Sequence, residues 1–352
     1  MKEILKTYSF LKDCDYPEPF GNGHINDTFL VRTPSSGQFI LQRVNPKVFD
    51  LTVLTQNLSL LFAALADYEK ENKVKLMPMV LKNQNGDYHT FDQAGAAWRV
   101  MEFFPDSKTY LTAPVEEVAY RGAKAMGAFQ RFLYTLPVEK LRPTIPGFHN
   151  TPARLEVFVE TLKKVRGVRK KQAAPEIDFL MEHRDIAREL QQVLQKKILP
   201  VRITHNDTKL ENILFAANGQ VLIIDPDTIM PGSVIYDFGD MVRTFTSPAG
   251  EDEKDLNLTT FRVGFFEALT RGYLESLQDK LSEPEKQYLL LGAKAILYEQ
   301  ALRFLNDFLL GNVYYKVNYP EHNLIRTRTQ IKLLKEILQR ETQLQTLIDH
   351  IV

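Results

Sequence analysis

One polar loop, set between apolar segments near the middle of this 352-residue chain, constrains its fold more than any other feature. It reads Ile203-Thr204-His205-Asn206-Asp207-Thr208-Lys209-Leu210-Glu211-Asn212-Ile213-Leu214-Phe215, and Val221-Leu222-Ile223-Ile224-Asp225-Pro226-Asp227 follows. Ala217-Asn218-Gly219-Gln220 between the two is a turn. Val221 to Ile224 is an apolar run of strand length that delivers Asp225 at its end, and Ile213 to Phe215 is expected to pair with it. Asp207, Asn212 and Asp225 are therefore expected to converge on one small volume. Two carboxylates and an amide oxygen are hard ligands suited to Mg²⁺, which prefers few protein ligands plus phosphate oxygens. Such a set serves phosphoryl transfer: one Asp takes or orients the acceptor hydroxyl, while an Asn and an Asp hold metal. The plainer reading is that these residues only cap a hairpin.

Around this loop the texture changes once. Phe29–Thr33 and Gln38–Val44 read as strands joined by the turn Pro34-Ser35-Ser36-Gly37. Leu51 to Ala66 is apolar at helical spacing, Asn85-Gly86 signals a hairpin between two short strands, and Ala97 to Phe104 is a further strand stopped by Pro105. Beyond it, helices dominate: one after Pro114, then Pro152–Val165, Ile177–Gln195, and a long helix from the capping box Ser282-x-x-Glu285 through about Phe308. A strand-rich front and a helix-rich back give an α+β chain of two lobes, residues 1–104 and 105–352.

Lys and Arg number 44, as do Asp and Glu, so the net charge is zero and a nucleic-acid partner is not expected. The lone Cys14 excludes an intramolecular disulfide and a multi-Cys zinc site. No run of 18 apolar residues occurs, and Met1 to Lys6 has no apolar core of a signal peptide, so a cytoplasmic monomer without membrane contact is expected. Six basic residues between Lys163 and Lys171 read as a solvated helix end rather than a binding patch.

His205-x-Asp207-x-x-x-x-Asn212 followed by Ile224-Asp225 resembles the catalytic loop and metal-binding Asp of the aminoglycoside phosphotransferase/choline kinase superfamily. That resemblance implies a protein-kinase-like fold, Asp207 as catalytic base, Asn212 and Asp225 as Mg²⁺ ligands, and His205 as a packing and hydrogen-bonding residue of the loop. It also implies that Asp237 stabilises the loop; a plain helix N-cap is the other reading of that residue. On the nucleotide side, Gly21-Asn22-Gly23 resembles a flap over ATP phosphates, and Met101-Glu102-Phe103-Phe104 resembles the segment joining the lobes, where Glu102 and Phe103 would border adenine. The Lys of kinase-like folds is replaced by Gln42, with Arg43 beside it, and the partner Glu by Gln56 or Asn57. A neutral hydrogen bond from Gln42 to Gln56 or Asn57 is the expected replacement.

Gly21 to Asn26, His205 to Lys209, Asp225 to Gly232 and Asp237-Phe238-Gly239-Asp240-x-x-Arg243 together look closest to the N-acetylhexosamine 1-kinases. The implied reaction is ATP-dependent phosphorylation of the anomeric hydroxyl of GlcNAc or GalNAc. Sugar contacts are expected from His24, Asp207, Arg243 and Arg303. Glu299, Arg303 and Asp307 also stand at the spacing of a salt-bridge ladder along one helix. Kinases of other small alcohols (choline, homoserine, an aminoglycoside) and a silent nucleotide-binding module remain as alternatives.

Overall fold

The computed structural model describes residues 1–21, 26–277 and 279–351. They form two compact units. One comprises Met1–Lys108, Phe132–Gly147 and Leu214–Pro231; the other comprises Thr109–Arg131, Phe148–Ile213 and Gly232–Val352.

The first unit is built on an antiparallel sheet of β1 (Glu18–Pro19), β2 (Asp27–Thr33), β3 (Gly37–Arg43), β4 (Val80–Leu81), β5 (Thr90–Phe91) and β6 (Ala97–Glu102), in the order β1-β2-β3-β6-β4 with β5 also on β6. Val31, Leu41 and Val100 form one buried face with Ile4 and Leu5 of α1 (Lys2–Lys6) and with Tyr8 and Leu11. Asp50 starts α2 (Leu51–Asn72) by accepting the amide hydrogens of Thr52 and Val53. This helix outruns its apolar pattern by six residues, because Asp67 to Asn72 continue it without burying an apolar side chain and it stops only at Lys73 in the left-handed region. The Asn85-Gly86 turn does not close a hairpin. Val80–Leu81 and Thr90–Phe91 each pair with β6 instead of with each other, and the turn is folded around Asn83, whose Oδ1 accepts from the amides of Asn85 and Asp87. The hairpin Ile213–Phe215 with Val221–Ile223 forms as the sequence predicts.

The second unit is helical: α3 (Glu116–Leu133), α4 (Thr151–Lys164), α5 (Val168–Gln172), α6 (Ala174–Glu182), α7 (Asp185–Gln195), α8 (Val234–Phe245), α9 (Val263–Leu277), α10 (Glu283–Gln287), α11 (Leu289–Leu310), α12 (His322–Gln339) and α13 (Glu341–Ile351). The capping box at Ser282 is present, but the long helix it was expected to begin is interrupted at Tyr288, between α10 and α11. Likewise Ile177–Gln195 is two helices, divided at His183–Arg184. Helix α11 is buried on nearly every side, packed against α8, α12 and α4. It meets α8 backbone to backbone. A Cβ on Gly239 would collide with the Gly292 carbonyl, and one on Gly292 with that of Ile235. The basic run caps helix ends: Arg166 and Lys170 donate to the carbonyls of Val165 and Leu162, and Arg169 to that of Phe308. Among the described residues, no helix is long and apolar enough to cross a membrane.

Candidate active site

The polar loop leaves the strand Arg202–Thr204 and is held on several sides within the second unit. Asn206 takes a left-handed backbone, φ 64°, and its side chain exchanges hydrogen bonds with Thr204, donating to the Thr204 carbonyl and accepting from Thr204 Oγ1, both at 3.0 Å. Asp237, buried on α8, accepts the His205 amide at Oδ2 (2.9 Å) and the Asn206 amide at Oδ1 (2.8 Å). It is not the N-cap. The helix begins three residues earlier, at Val234, which turns Asp237 inward onto the loop. Burial pushes its carboxyl up to about 7, against the pull of the two amides and of His149. His205 is fully buried, and its Nδ1 accepts the Asp207 amide at 3.3 Å. Gly232 lies so close that a Cβ there would strike Thr204 Oγ1 and Asn206 Oδ1.

Asp207 Oδ2 accepts from Asn212 Nδ2 at 2.9 Å and lies 3.4 Å from Lys209 Nζ. Burial raises the Asp207 carboxyl, but Lys209, the Asn212 amide and Arg243 outweigh it and hold the group below the usual carboxylate range. Asp207 is thus ionised at neutral pH, and Asn212 and Lys209 both engage Oδ2 rather than Oδ1. Asn212 spends its amide nitrogen on Asp207, donating to both the backbone carbonyl (2.8 Å) and Oδ2, so its carbonyl oxygen is the atom it has left for a cation. In the first unit, Asp225 follows the strand Val221–Ile223 and adopts φ 60°, ψ 66°, before a short turn at Pro226–Thr228. An amide oxygen and a carboxylate are hard donors that fit Mg²⁺. Among the described residues, no group of three or more His, Cys, Asp or Glu could hold a metal.

Gly21 has φ 73°, a conformation that favours glycine; Asn22, Gly23 and His24 lie outside the described residues. Gln42 and Arg43 point to opposite faces of β3. Arg43 lies 3.8 Å from Asp27 and over Trp98, whereas Gln42 is bonded to Arg99, its direct cross-strand neighbour on β6. The expected pairing of Gln42 with Gln56 or Asn57 is not made, since those two residues bind Arg142. The reason is Arg99. It is fully buried, and its guanidinium needs acceptors on every side. It takes Gln42 Oε1 and the carboxylate of Asp227, which is also buried and accepts from Asn26 Nδ2 at 2.7 Å. The composition of β6 carried this signal: one cation among Ala97, Trp98 and Val100 has to find an anion. Glu102 is occupied by Lys75 (2.7 Å) and the Met79 amide, and Phe103 packs edge-on against Phe20.

Arg243 is nearly buried and doubly paired, Nε with Asp240 at 2.7 Å and Nη1 with Glu251 at 3.1 Å. Arg303 does not take part in a ladder. Its guanidinium lies over the rings of Phe148 and Tyr315, while Glu299 binds His149 and Thr151 and Asp307 caps the amides of Val313, Tyr314 and Tyr315. Lys209 and His149 were missed from sequence. Lys209 was within reach, two residues past Asp207 on the same loop; His149 is brought in from a segment distant in sequence and carries no local signal.

The model of the phosphotransferase enzyme family matches residues 17–282. Among solved structures, an aminoglycoside phosphotransferase from Alicyclobacillus acidocaldarius is 11% identical over 100% of this chain and 95% of its own, with a TM-score of 0.64. A microcompartment-associated aminopropanol kinase is 14% identical over 96% of each chain, at 0.65. Amicoumacin kinase hAmiN, solved in complex with AMP-PNP, Ca²⁺ and Ami, is 12% identical over 91% of this chain and 88% of its own, at 0.59. The fold is therefore that of protein-kinase-like phosphotransferases, with a small antiparallel-sheet lobe and a larger helical one.

Proposed function

This chain belongs to the phosphotransferase enzyme family, and on that premise we propose that it is an ATP-dependent small-molecule kinase that phosphorylates the anomeric hydroxyl of an N-acetylhexosamine. The observation that carries phosphoryl transfer is the Asp207–Asn212 pair. One Asp207 oxygen is fixed by Asn212 and Lys209, the other is left to accept, and the carboxyl is ionised. The N-acetylhexosamine acceptor rests on the likeness of four segments, Gly21 to Asn26, His205 to Lys209, Asp225 to Gly232 and Asp237 to Arg243, to the sugar 1-kinases.

In this reading Asp207 Oδ1 receives the hydrogen bond of the sugar hydroxyl and aims its oxygen at the γ-phosphorus of ATP. The hydroxyl proton passes to Asp207 as the new P–O bond forms and ADP leaves. Lys209, beside Asp207, offers positive charge to the transferring phosphoryl oxygens. Asn212 and Asp225 are the residues that would hold Mg²⁺, and the ion would supply neutralisation of phosphate charge. Gly21 lies beside the phosphates, Gln42 or Arg43 borders them, and the backbone at Glu102 and Phe103 meets adenine. Arg243 and Arg303 contact the sugar.

Testing this reading requires an ADP-release assay across GlcNAc, GalNAc, choline, homoserine, aminopropanol and an aminoglycoside, with ³¹P NMR of the product. A sugar 1-phosphate is expected. Turnover of an amino alcohol alone would move the acceptor class, and ATP binding with no acceptor-stimulated ADP release would show a silent nucleotide-binding module.

A further inference from the structure

One residue to which the scheme above gives no task is His149, which precedes α4 and whose side chain is 7% exposed. Its Nε2 is 2.8 Å from the carbonyl oxygen of Asn206, and its Nδ1 is 3.0 Å from Glu299 Oε1. The ring stacks on Tyr236 at 4.8 Å. Glu299 is fully buried, and its other oxygen accepts from Thr151 Oγ1 at 2.7 Å. A carbonyl oxygen can only accept, so Nε2 carries a proton. A second proton must lie between Nδ1 and Glu299, since otherwise two lone pairs would face each other at 3.0 Å beside a fully buried carboxylate.

We propose that His149 is a positioning residue: as an imidazolium paired with Glu299, it holds the Asn206 carbonyl and thereby fixes the peptide that carries Asp207. This rests on the reading of Asp207 as the proton acceptor. Asn206 is then gripped at both ends, its amide by Asp237 and its carbonyl by His149, in a left-handed conformation that an unsupported loop would leave. The ionisable groups that face the ring are Glu299 and Arg303 from α11 and Tyr236 and Asp237 from α8. Burial opposes the cation and Arg303 adds to that, but Glu299 and the Asn206 carbonyl prevail and raise the pKa above the ordinary histidine value.

The test joins a spectroscopic and a kinetic measurement on the full chain. Imidazole ¹⁵N NMR at pH 7, assigned by comparison with His149→Gln, is expected to show hydrogen on both ring nitrogens of His149. The wild-type kcat is expected to fall on the alkaline side as that proton is lost. His149→Gln keeps one donor and cannot titrate; its kcat drops roughly ten- to a hundredfold with KM for ATP unchanged, and its alkaline fall disappears. Glu299→Gln removes the anion and moves the fall to lower pH. A singly protonated ring, or an alkaline limb that is the same in all three proteins, overturns the proposal. The ¹⁵N measurement needs no acceptor. Failure of the Asp207 reading therefore shows separately, as absent turnover with the proton still in place.

Discussion

Asn206 hangs from Asp237: its amide hydrogen reaches Oδ1 at 2.8 Å, and both residues are buried. Asp237→Asn can accept at one oxygen only, so one buried amide of the loop loses its partner, at a cost of about 1–3 kcal/mol. The pH dependence has an unusual sign for an Asp. Its folded pKa is raised to about 7, from ~3.9 when unfolded, so its contribution to stability is full below ~3.9 and is lost as pH rises through about 7. Urea melts from pH 4 to pH 8 should show wild-type stability falling toward neutrality relative to Asp237→Asn, in which that slope is absent.

Asp207→Asn keeps the shape of the loop and, in the proposed reaction, removes the acceptor of the hydroxyl proton. Turnover should drop by about 10²–10⁴, with the melting temperature little changed. The depressed pKa of Asp207 also fixes the acid limb. The wild-type rate should not lose its base between pH 5 and pH 8, and protonation of Asp207 belongs below the ordinary carboxylate range. A pH profile of kcat/KM checks this, and near-normal turnover of the variant would remove Asp207 from the chemistry.

Arg99→Met strands the Asp227 carboxylate in a buried site that Asn26 alone then serves. The expected loss is about 3–5 kcal/mol. In Arg99→Met/Asp227→Leu neither charge remains, and most of that loss should return. Chemical denaturation of the two single variants and the double variant measures the coupling; additive effects would show that the ion pair is energetically idle.

Gly232→Ala places a methyl against Thr204 Oγ1 and Asn206 Oδ1. Overpacking of this kind costs about 1–3 kcal/mol, and here it also pushes on the residue before Asp207. The variant should lose kcat by a larger factor than it raises KM for ATP, as steady-state kinetics would reveal.

The polar loop was legible in the sequence because its parts are local. Asp207 and Asn212 are five residues apart and bond to each other directly. Asp237 was legible as a residue type, but its role depended on where α8 begins, and the three residues from Val234 to Tyr236 decided between a cap and a clamp. The Gln42 error has a different origin. Its partner was sought on the following helix, whereas the strand register sets it opposite Arg99, 57 residues away in sequence. Glu299, Arg303 and Asp307 illustrate the limit of periodicity: spacing shows that residues share a face, and only packing reveals whether that face looks at water or at His149.

The contact of Gly239 with Gly292 sets how closely α8 can approach α11. One of these helices carries Asp237 and the other Glu299, the carboxylates that fasten the loop directly and through an imidazole. The crossing therefore acts as the hinge pin of a vice whose two jaws close on a single peptide. A methyl group at either glycine would open the jaws from behind, so turnover would register the change at a site that touches neither nucleotide nor acceptor.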